Sequence, residues 1–298
     1  MRSCKENRLI KAVEEPEPLD KNRHDMQKIL RHIFSWMLGI LWALPFVGIL
    51  MVSIRPETEI VHGWWVFDEF NPSFENYIEV LFRTTIPLVR PLINSFYISL
   101  LGTIVPIVIG GFAGYAFARH KVPFKKTLIV ILLSLMAIPL QMISVPIFRI
   151  MNSLNLLDSF TSVIILDTAT AIPWIVFFMM NFVNAQPIAI EESAKIDGAS
   201  SLQIVTKIVL PQSIPALLSV FTLQFVWCWV DFFLPLIFIY SPEKYVSVQV
   251  IPMLRGQFVA NWGHLSAASV LVTAVPFLLF MFLQKYYIKG AVGWIVEK

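Results

Sequence analysis

Two aspartates lie inside long apolar segments, and this position limits what they can do. Asp167 interrupts the run from 159 to 183, and Asp231 interrupts the run from 213 to 239. Because a carboxylate that faces lipid is costly, acids in such segments usually face a cavity or a partner. Each of the two can therefore contact a solute or accept a structural hydrogen bond, and both are predicted to point inward.

Two further side chains extend this pattern. Gln141, in the third apolar segment, can line a polar path or bind a neighbouring helix, and Trp229 stands two residues before Asp231. A tryptophan offers a large flat apolar face, which suits stacking against a sugar ring. We therefore predict a solute path beside Asp231, Trp229, Asp167 and Gln141.

A charged stretch between the fourth and fifth apolar segments has the pattern of two short helices. Pro187 suits the first turn of a helix that Gly198 breaks. Ser200 and Gln203 then form a capping-box pattern at the start of a second helix. The loop from 184 to 212 is therefore predicted to be a helix, a turn and a helix that protrude from the membrane.

No enzymatic motif accompanies these residues. The sequence lacks a GxxxxGK[ST] phosphate loop, an HExxH metal pair and a GxSxG elbow, and its five histidines are scattered singly. Two cysteines, Cys4 and Cys228, cannot build a disulfide framework or a zinc site. We expect no catalytic residue, metal site or bound cofactor in this chain, and no nucleic-acid partner.

The elements that carry these residues are predicted to be membrane-spanning helices. Hydrophobic residues make up 57% of the 298-residue chain and charged residues 14%, against about 25% charged residues in soluble domains. Six apolar runs are long enough to cross about 30 Å of hydrocarbon. They are residues 33–54, 92–118, 127–148, 159–183, 213–239 and 265–284. The fold class is therefore all-α integral membrane, with one six-span domain over residues 33–287.

Proline and glycine shape these spans. Every predicted span contains at least one proline, so kinked helices are expected, since neighbouring helices or water can satisfy the freed carbonyls. The prolines are either merely tolerated or part of a bundle that opens and closes. In the second span Gly110 and Gly114 stand four residues apart, which would let another helix approach closely.

The basic residues predict the orientation. With the N-terminus in the cytoplasm, 17 of the 23 Lys and Arg residues lie on the cytoplasmic side and 6 on the outside, as cytoplasmic loops retain positive charge. Residues 1–32 and 288–298 are then cytoplasmic segments. The first span is expected to remain as an uncleaved anchor, because the charged region before it is too long for a cleaved signal.

The charged loop resembles the EAA loop of permease subunits in binding-protein-dependent ATP-binding-cassette importers. Its pattern is Glu192, Ser193, Ala194, three residues, Gly198, nine residues, and then IVLP at 208–211, with Ser193 in place of the usual alanine. The segments SIRPETEI, NPSFENYIEVL, AGYAFAR and VDFFLPLIF are similar to the smaller permease of carbohydrate uptake systems of the maltose type.

This resemblance implies a type I ABC importer permease fold in a bacterial inner membrane and a division of labour among subunits. A soluble extracytoplasmic binding protein delivers a carbohydrate, this chain and a homologous permease form the pore, and two ATPase subunits bind ATP and Mg²⁺. The loop lies in a groove of the ATPase. The coupling residues that the resemblance implies are Glu192, Ser193, Ala194, Asp197, Gly198 and Ala199.

Three other classes remain open from the residues alone. One is an importer permease for a solute that is not a carbohydrate. A secondary transporter would need coupling charges and inverted repeats with broken helices, and no internal repeat is recognisable. A membrane enzyme would need convergent acids or a metal cluster at one membrane face, whereas Asp167 and Asp231 are isolated in the sequence.

Overall fold

The computed structural model describes the backbone of residues 19–67, 70–255 and 261–292, and the side chains of 25–67, 70–255 and 261–285. The rest of the predicted N-terminal segment and the tail from 293 lie outside the described residues. All regular secondary structure in the described part of the chain is helical. The all-α fold class is therefore confirmed.

The chain divides into two compact units, residues 1–51 and 52–298. Helix α1, Leu19–Ser53, occupies the described part of the first unit and ends in the second. Its residues from Asp25 onward are long and apolar enough to cross a membrane.

The second unit contains the remaining helices. In chain order they are α2 (Glu57–Ile60), α3 (Glu75–Ile78), α4 (Val89–Arg119), α5 (Lys125–Met136), α6 (Ser144–Ser153), α7 (Phe160–Ala185), α8 (Ala189–Ile196), α9 (Ser201–Ile204), α10 (Leu210–Gln212), α11 (Ile214–Val230), α12 (Phe233–Phe238), α13 (Ser247–Met253) and α14 (Trp262–Val292). Turns of π-helix follow α3 (Glu79–Arg83) and α9 (Val205–Val209), and 3₁₀ turns lie at Leu140–Ile143 and Pro242–Lys244.

Among the described residues, four helices can span a membrane by length and composition: α1, α4, α7 and α14. Two bent pairs also qualify. Helices α5 and α6, with the 3₁₀ turn between them, bend by 91°, and the segment from α9 to α10 meets α11 at 72°. Counting each bent pair as one span gives up to six, which is the predicted number.

Prolines explain two breaks in the predicted spans. The predicted span 213–239 is interrupted after Val230, because a continuous helix would place the ring of Pro235 against the carbonyl of Asp231, four residues earlier. In α12 the same proline lies in the first turn, where it is tolerated. Similarly, α5 ends before Pro139, and the chain resumes as a 3₁₀ turn.

Close packing between α4 and α7 depends on the predicted glycine pair. A Cβ at Gly110 would lie 2.5 Å from Ile175 Cγ2, and a Cβ at Gly114 would lie 2.6 Å from Met179 Cβ and 2.9 Å from the backbone nitrogen of Met180. The two backbones can approach this closely only without those side chains. The close helix contact expected from the sequence is therefore present.

Hydrogen bonds tie the chain connections together at one end of the bundle. The Asp158 carboxylate accepts from the backbone N–H groups of Tyr240 and Ser241, from Ser241 Oγ, and from Lys244 Nζ at 2.9 Å. Burial raises the pKa of Asp158, but these hydrogen bonds lower it by more and hold it well below its usual range. Asn94 Nδ2 at the start of α4 donates to the carbonyl of Tyr245.

Candidate functional site

The loop between α7 and α11 forms the predicted helix, turn and helix. Helix α8 ends in a Schellman motif, in which Gly198 N–H donates to the Lys195 carbonyl and Ala199 N–H to the Ala194 carbonyl. Gly198 has φ +83°, a left-handed conformation that favours glycine. Ser200 and Gln203 then make both hydrogen bonds of the capping box at the start of α9.

One face of α8 is fixed to the bundle by a buried ion pair that involves Glu191. Arg119 Nε, at the end of α4, donates to Glu191 Oε1 at 2.7 Å, and the Tyr115 hydroxyl donates to Glu191 Oε2 at 3.1 Å. The side chains of Arg119 and Glu191 are 9% and 4% exposed. Arg119 Nη2 also donates to the Gln186 carbonyl, so α8 is attached to the end of α4.

A second link joins the loop to the next span. Gln186 Nε2 donates to Ser213 Oγ at 3.0 Å, and Ser213 Oγ donates to the Val209 carbonyl at 2.7 Å. Ser213 precedes α11, so the loop is bonded to the elements on both sides of it. The loop is therefore hydrogen-bonded both to the end of α4 and to the start of α11.

The opposite face of the loop is exposed. Glu192, Ser193, Asp197 and Gly198 all lie on the surface, and Glu192 makes no ion pair within the described residues. Ile196 is 87% exposed. Its neighbours Lys195 and Asp197 are exposed as well, so this face of the loop presents charged and apolar groups at the surface.

Two of the six coupling residues face inward instead. Ala194 and Ala199 are half-buried and pack against a cluster that contains Tyr115, Ile204 and Val209. Their small size allows α8 and α9 to pack on the bundle, and in this structure they do not contribute to the exposed face. The other four remain available for docking.

A cavity of about 820 Å³ lies beside the helix breaks of the third and fifth predicted spans. Its walls come from the α5–α6 region, from α7, and from the segment where α11 ends and α12 begins. Three of the four residues predicted to lie on a solute path line it: Gln141, Asp167 and Asp231. The two carboxylates, isolated in the sequence, therefore face the same space.

The two carboxylates have different local partners. Asp231 Oδ1 accepts from the backbone N–H of Phe233 at 2.9 Å and, with Oδ2, from that of Leu234 at 3.4 Å, so it caps the start of α12. Asp167 is 6% exposed, and its Oδ2 has no hydrogen-bond partner among the described residues. A Cβ at Gly102 would lie 3.3 Å from that oxygen.

Trp229, the fourth predicted residue, lies away from this cavity. Its ring is 2% exposed, packs with Phe225 and Val272, and donates from Nε1 to the Val272 carbonyl on α14 at 3.0 Å. Trp227 lines the cavity instead, with its ring edge-to-face against Trp174 at a centroid distance of 5.2 Å. Side chains two residues apart on a helix point about 200° away from each other. Trp227 therefore faces the cavity, whereas Trp229 faces α14.

Other participants were not singled out from the sequence. Gln224 accepts a hydrogen bond from Trp174 Nε1 and lines the cavity, and its only sequence signal is a polar residue in an apolar run. Arg119 and Glu191 lie 72 residues apart. Arg119 ends the AGYAFAR segment and Glu191 directly precedes the Glu192 pattern, but their pairing requires the packing of α4 against the loop.

Comparison with known proteins gives a family match. The family of binding-protein-dependent transport system inner membrane components matches residues 106–291. This range begins within α4 and includes the loop, the cavity and almost all of α14.

Individual proteins resemble three quarters or more of the chain. A probable ABC transporter permease protein of Pyrococcus horikoshii is 45% identical over 91% of this chain and 98% of its own length. The alpha-glucoside transport system permease protein of Rhizobium meliloti is 31% identical over 76% of this chain and 60% of its own length. A crystal structure of a bacterial ABC transporter that imports the acidic polysaccharide alginate has a TM-score of 0.74 at 20% identity, covering 92% of this chain and 99% of that one. The likeness to that structure confirms the predicted permease fold, and this chain belongs to the family of inner membrane components of binding-protein-dependent transport systems.

Proposed function

We propose that this chain is the permease subunit of an ATP-driven importer for a sugar, an oligosaccharide or a sugar derivative. It forms half of the translocation pore with a homologous permease and receives solute from an extracytoplasmic binding protein. It couples to two ATPase subunits through the loop 184–212. ATP and Mg²⁺ are bound by those subunits, and this chain has no catalytic role of its own.

The loop supplies the main support for this proposal. A rigid helical hairpin that is bonded to α4 and α11 on one face and exposed on the other suits the transfer of force from a soluble partner to the bundle. Exposed Glu192 and Ile196 offer one charge and one apolar anchor to that partner. Such a charge contributes more to binding when water is excluded from the contact.

The cavity and the relatives support a carbohydrate as the solute. Among the relatives, the Rhizobium meliloti protein is named for alpha-glucoside transport. In this chain, two tryptophans and several hydrogen-bonding side chains surround a space of about 820 Å³, and pockets of roughly 300–1,000 Å³ hold small organic ligands.

Substitutions in the loop test the coupling role. We expect Glu192→Lys and Gly198→Asp to leave membrane insertion and complex assembly intact, and to abolish ATP-driven uptake and the stimulation of ATP hydrolysis by the loaded binding protein. Glu192→Lys reverses a charge at the contact. Gly198→Asp adds charge and bulk at the apex, where a Cβ meets nothing within 4 Å in this chain.

The measurement is ATPase activity of the complex reconstituted in lipid vesicles with its binding protein. Gly198→Asn serves as the control for the backbone, because asparagine adopts the left-handed conformation more readily than most residues. Full stimulation of both Glu192→Lys and Gly198→Asp would show that the loop is only a surface feature.

A further inference from the structure

The described lining of the cavity is acidic in composition. It contains the carboxylates of Asp167 and Asp231 and no lysine, arginine or histidine. Neither aspartate forms an ion pair within the described residues. Asp231 is half-buried, and its carboxylate accepts hydrogen bonds from two backbone N–H groups, which stabilise the ionised form against the cost of burial.

The uncharged part of the lining suits hydroxyl groups and sugar rings. Trp227 is 54% exposed and lines the cavity beside Trp174. Gln224 is held in one orientation, because its Oε1 accepts from Trp174 Nε1 at 3.2 Å and its Nε2 donates to the Gly102 carbonyl at 3.3 Å. Gln141, in the 3₁₀ turn between α5 and α6, is an exposed part of the lining.

The acidic side chains of the cavity would repel an anionic solute, and no described side chain of the lining would offset this repulsion. Clefts lined by one sign of charge concentrate ions of the opposite sign by about 10- to 1,000-fold and exclude ions of the same sign. A neutral saccharide instead can donate its hydroxyl groups to carboxylate oxygens, above all to those of half-buried Asp231.

We infer that the half of the pore formed by this chain contacts the solute directly, and that it accepts uncharged or cationic hydroxyl-bearing solutes and excludes anionic ones. This inference rests on the proposed function and narrows its substrate class. Asp231 carries the larger part of the selectivity because it is more exposed to the cavity than Asp167. Trp227 supplies the stacking surface.

A native cysteine makes the charge of the cavity measurable without knowledge of the solute. Cys228 borders the cavity but is only 7% exposed, and Cys4 is the only other cysteine of the chain. In a Cys4→Ser background, Cys228 is labelled with the trimethylammonium and the sulfonate forms of ethyl methanethiosulfonate, in the purified complex with its partner subunits. Each rate is divided by the rate for a free thiol in solution. Ala169→Cys, at an exposed position of the same lining, provides the more accessible reporter, and the test relies on it if Cys228 reacts too slowly.

We expect the normalised rate of the cationic reagent to exceed that of the anionic reagent by about tenfold or more. Asp231→Asn should reduce this ratio to within about threefold of unity, and Asp167→Asn should reduce it less. Asp25→Asn, which removes an exposed carboxylate outside the cavity lining, should leave the ratio unchanged. If Asp167→Asn fails to assemble, Asp231→Asn carries the test alone.

Equal normalised rates for the two reagents in the unmodified cavity would overturn the inference, as would absence of labelling at both reporters. Import of a carboxylated or sulfonated saccharide by the complex would also overturn it. These outcomes are separate from the proposed function. If the complex drives uptake with ATP but shows no charge preference, the proposed function stands and the inference is wrong. If the complex moves no solute with ATP, the proposed function is wrong.

Discussion

Two adjacent glutamates show how sharply the structure separates residues of one type. Glu191 is 3% exposed and paired with Arg119, while Glu192 points to the surface of the same helix. Helix geometry turns neighbouring side chains by about 100°, so only one of the two can face the bundle. Glu191 therefore holds the loop in place, and Glu192 is left for a partner.

A double-mutant cycle at the buried ion pair tests this separation of roles. Glu191→Gln and Arg119→Gln should each destabilise the protein by about 3–5 kcal/mol, because each leaves an uncompensated buried charge. The double variant should lose much less than the sum, since neither charge remains. The measurement is the unfolding of the purified complex in detergent. Glu192→Gln is the matched control and should change stability by less than about 0.5 kcal/mol.

An additive cycle, with the double variant losing the sum of both single effects, would contradict the pairing. Loss of coupled ATPase activity in Glu191→Gln at a temperature where the complex is fully folded would further show that the position of α8 matters for coupling.

At the scale of helices, glycine and proline decide how the spans meet. Prolines 106, 173 and 276 lie inside continuous helices, whereas Pro139 and Pro235 accompany breaks. Both breaks border the cavity. The expectation of kinked spans is confirmed at these two breaks. At the second break the Asp231 side chain accepts from the backbone N–H groups at the start of α12.

The glycines of α4 allow a comparison within one helix. Gly114→Ala should destabilise the protein by about 1–3 kcal/mol, because the new methyl group would lie 2.9 Å from the backbone nitrogen of Met180, which cannot move without shifting α7. Gly111→Ala should be neutral or stabilising by up to about 1 kcal/mol, since its nearest neighbour is Leu210 Cδ2 at 3.9 Å. Thermal unfolding in detergent compares the two, and equal effects would contradict the close contact between α4 and α7.

At the scale of the whole molecule, the segments that connect successive helices of the second unit lie at its two ends. Asp158 joins the connection after α6 to the segment after α12, whereas Arg119 joins the end of α4 to the loop after α7. This alternation is what antiparallel spans require. We propose that the end with Arg119 is cytoplasmic, because 17 of the 23 Lys and Arg residues fall on that side of the predicted topology.

Cysteine labelling tests the orientation. With both native cysteines replaced by serine, Glu75→Cys should react with a membrane-impermeant maleimide in intact cells, since Glu75 is exposed on the segment after α1. Lys5→Cys should react only after the membrane is permeabilised. Labelling of Lys5→Cys in intact cells, with none at Glu75→Cys, would reverse the topology.

Local patterns in the sequence were sufficient to predict the number of apolar segments, the glycine turn at Gly198, the capping box at Ser200 and the family. Each of these depends on residues that are close in the chain, so short-range periodicity and capping chemistry determine them. Only the tertiary structure decided that Glu191 is buried, that Asp167 and Asp231 share a cavity, and that Trp227 lines it rather than Trp229. The reason is that α11 is apolar on all sides, so its sequence does not indicate which face points to a neighbour, and its rotation is set by packing against α4 and α14.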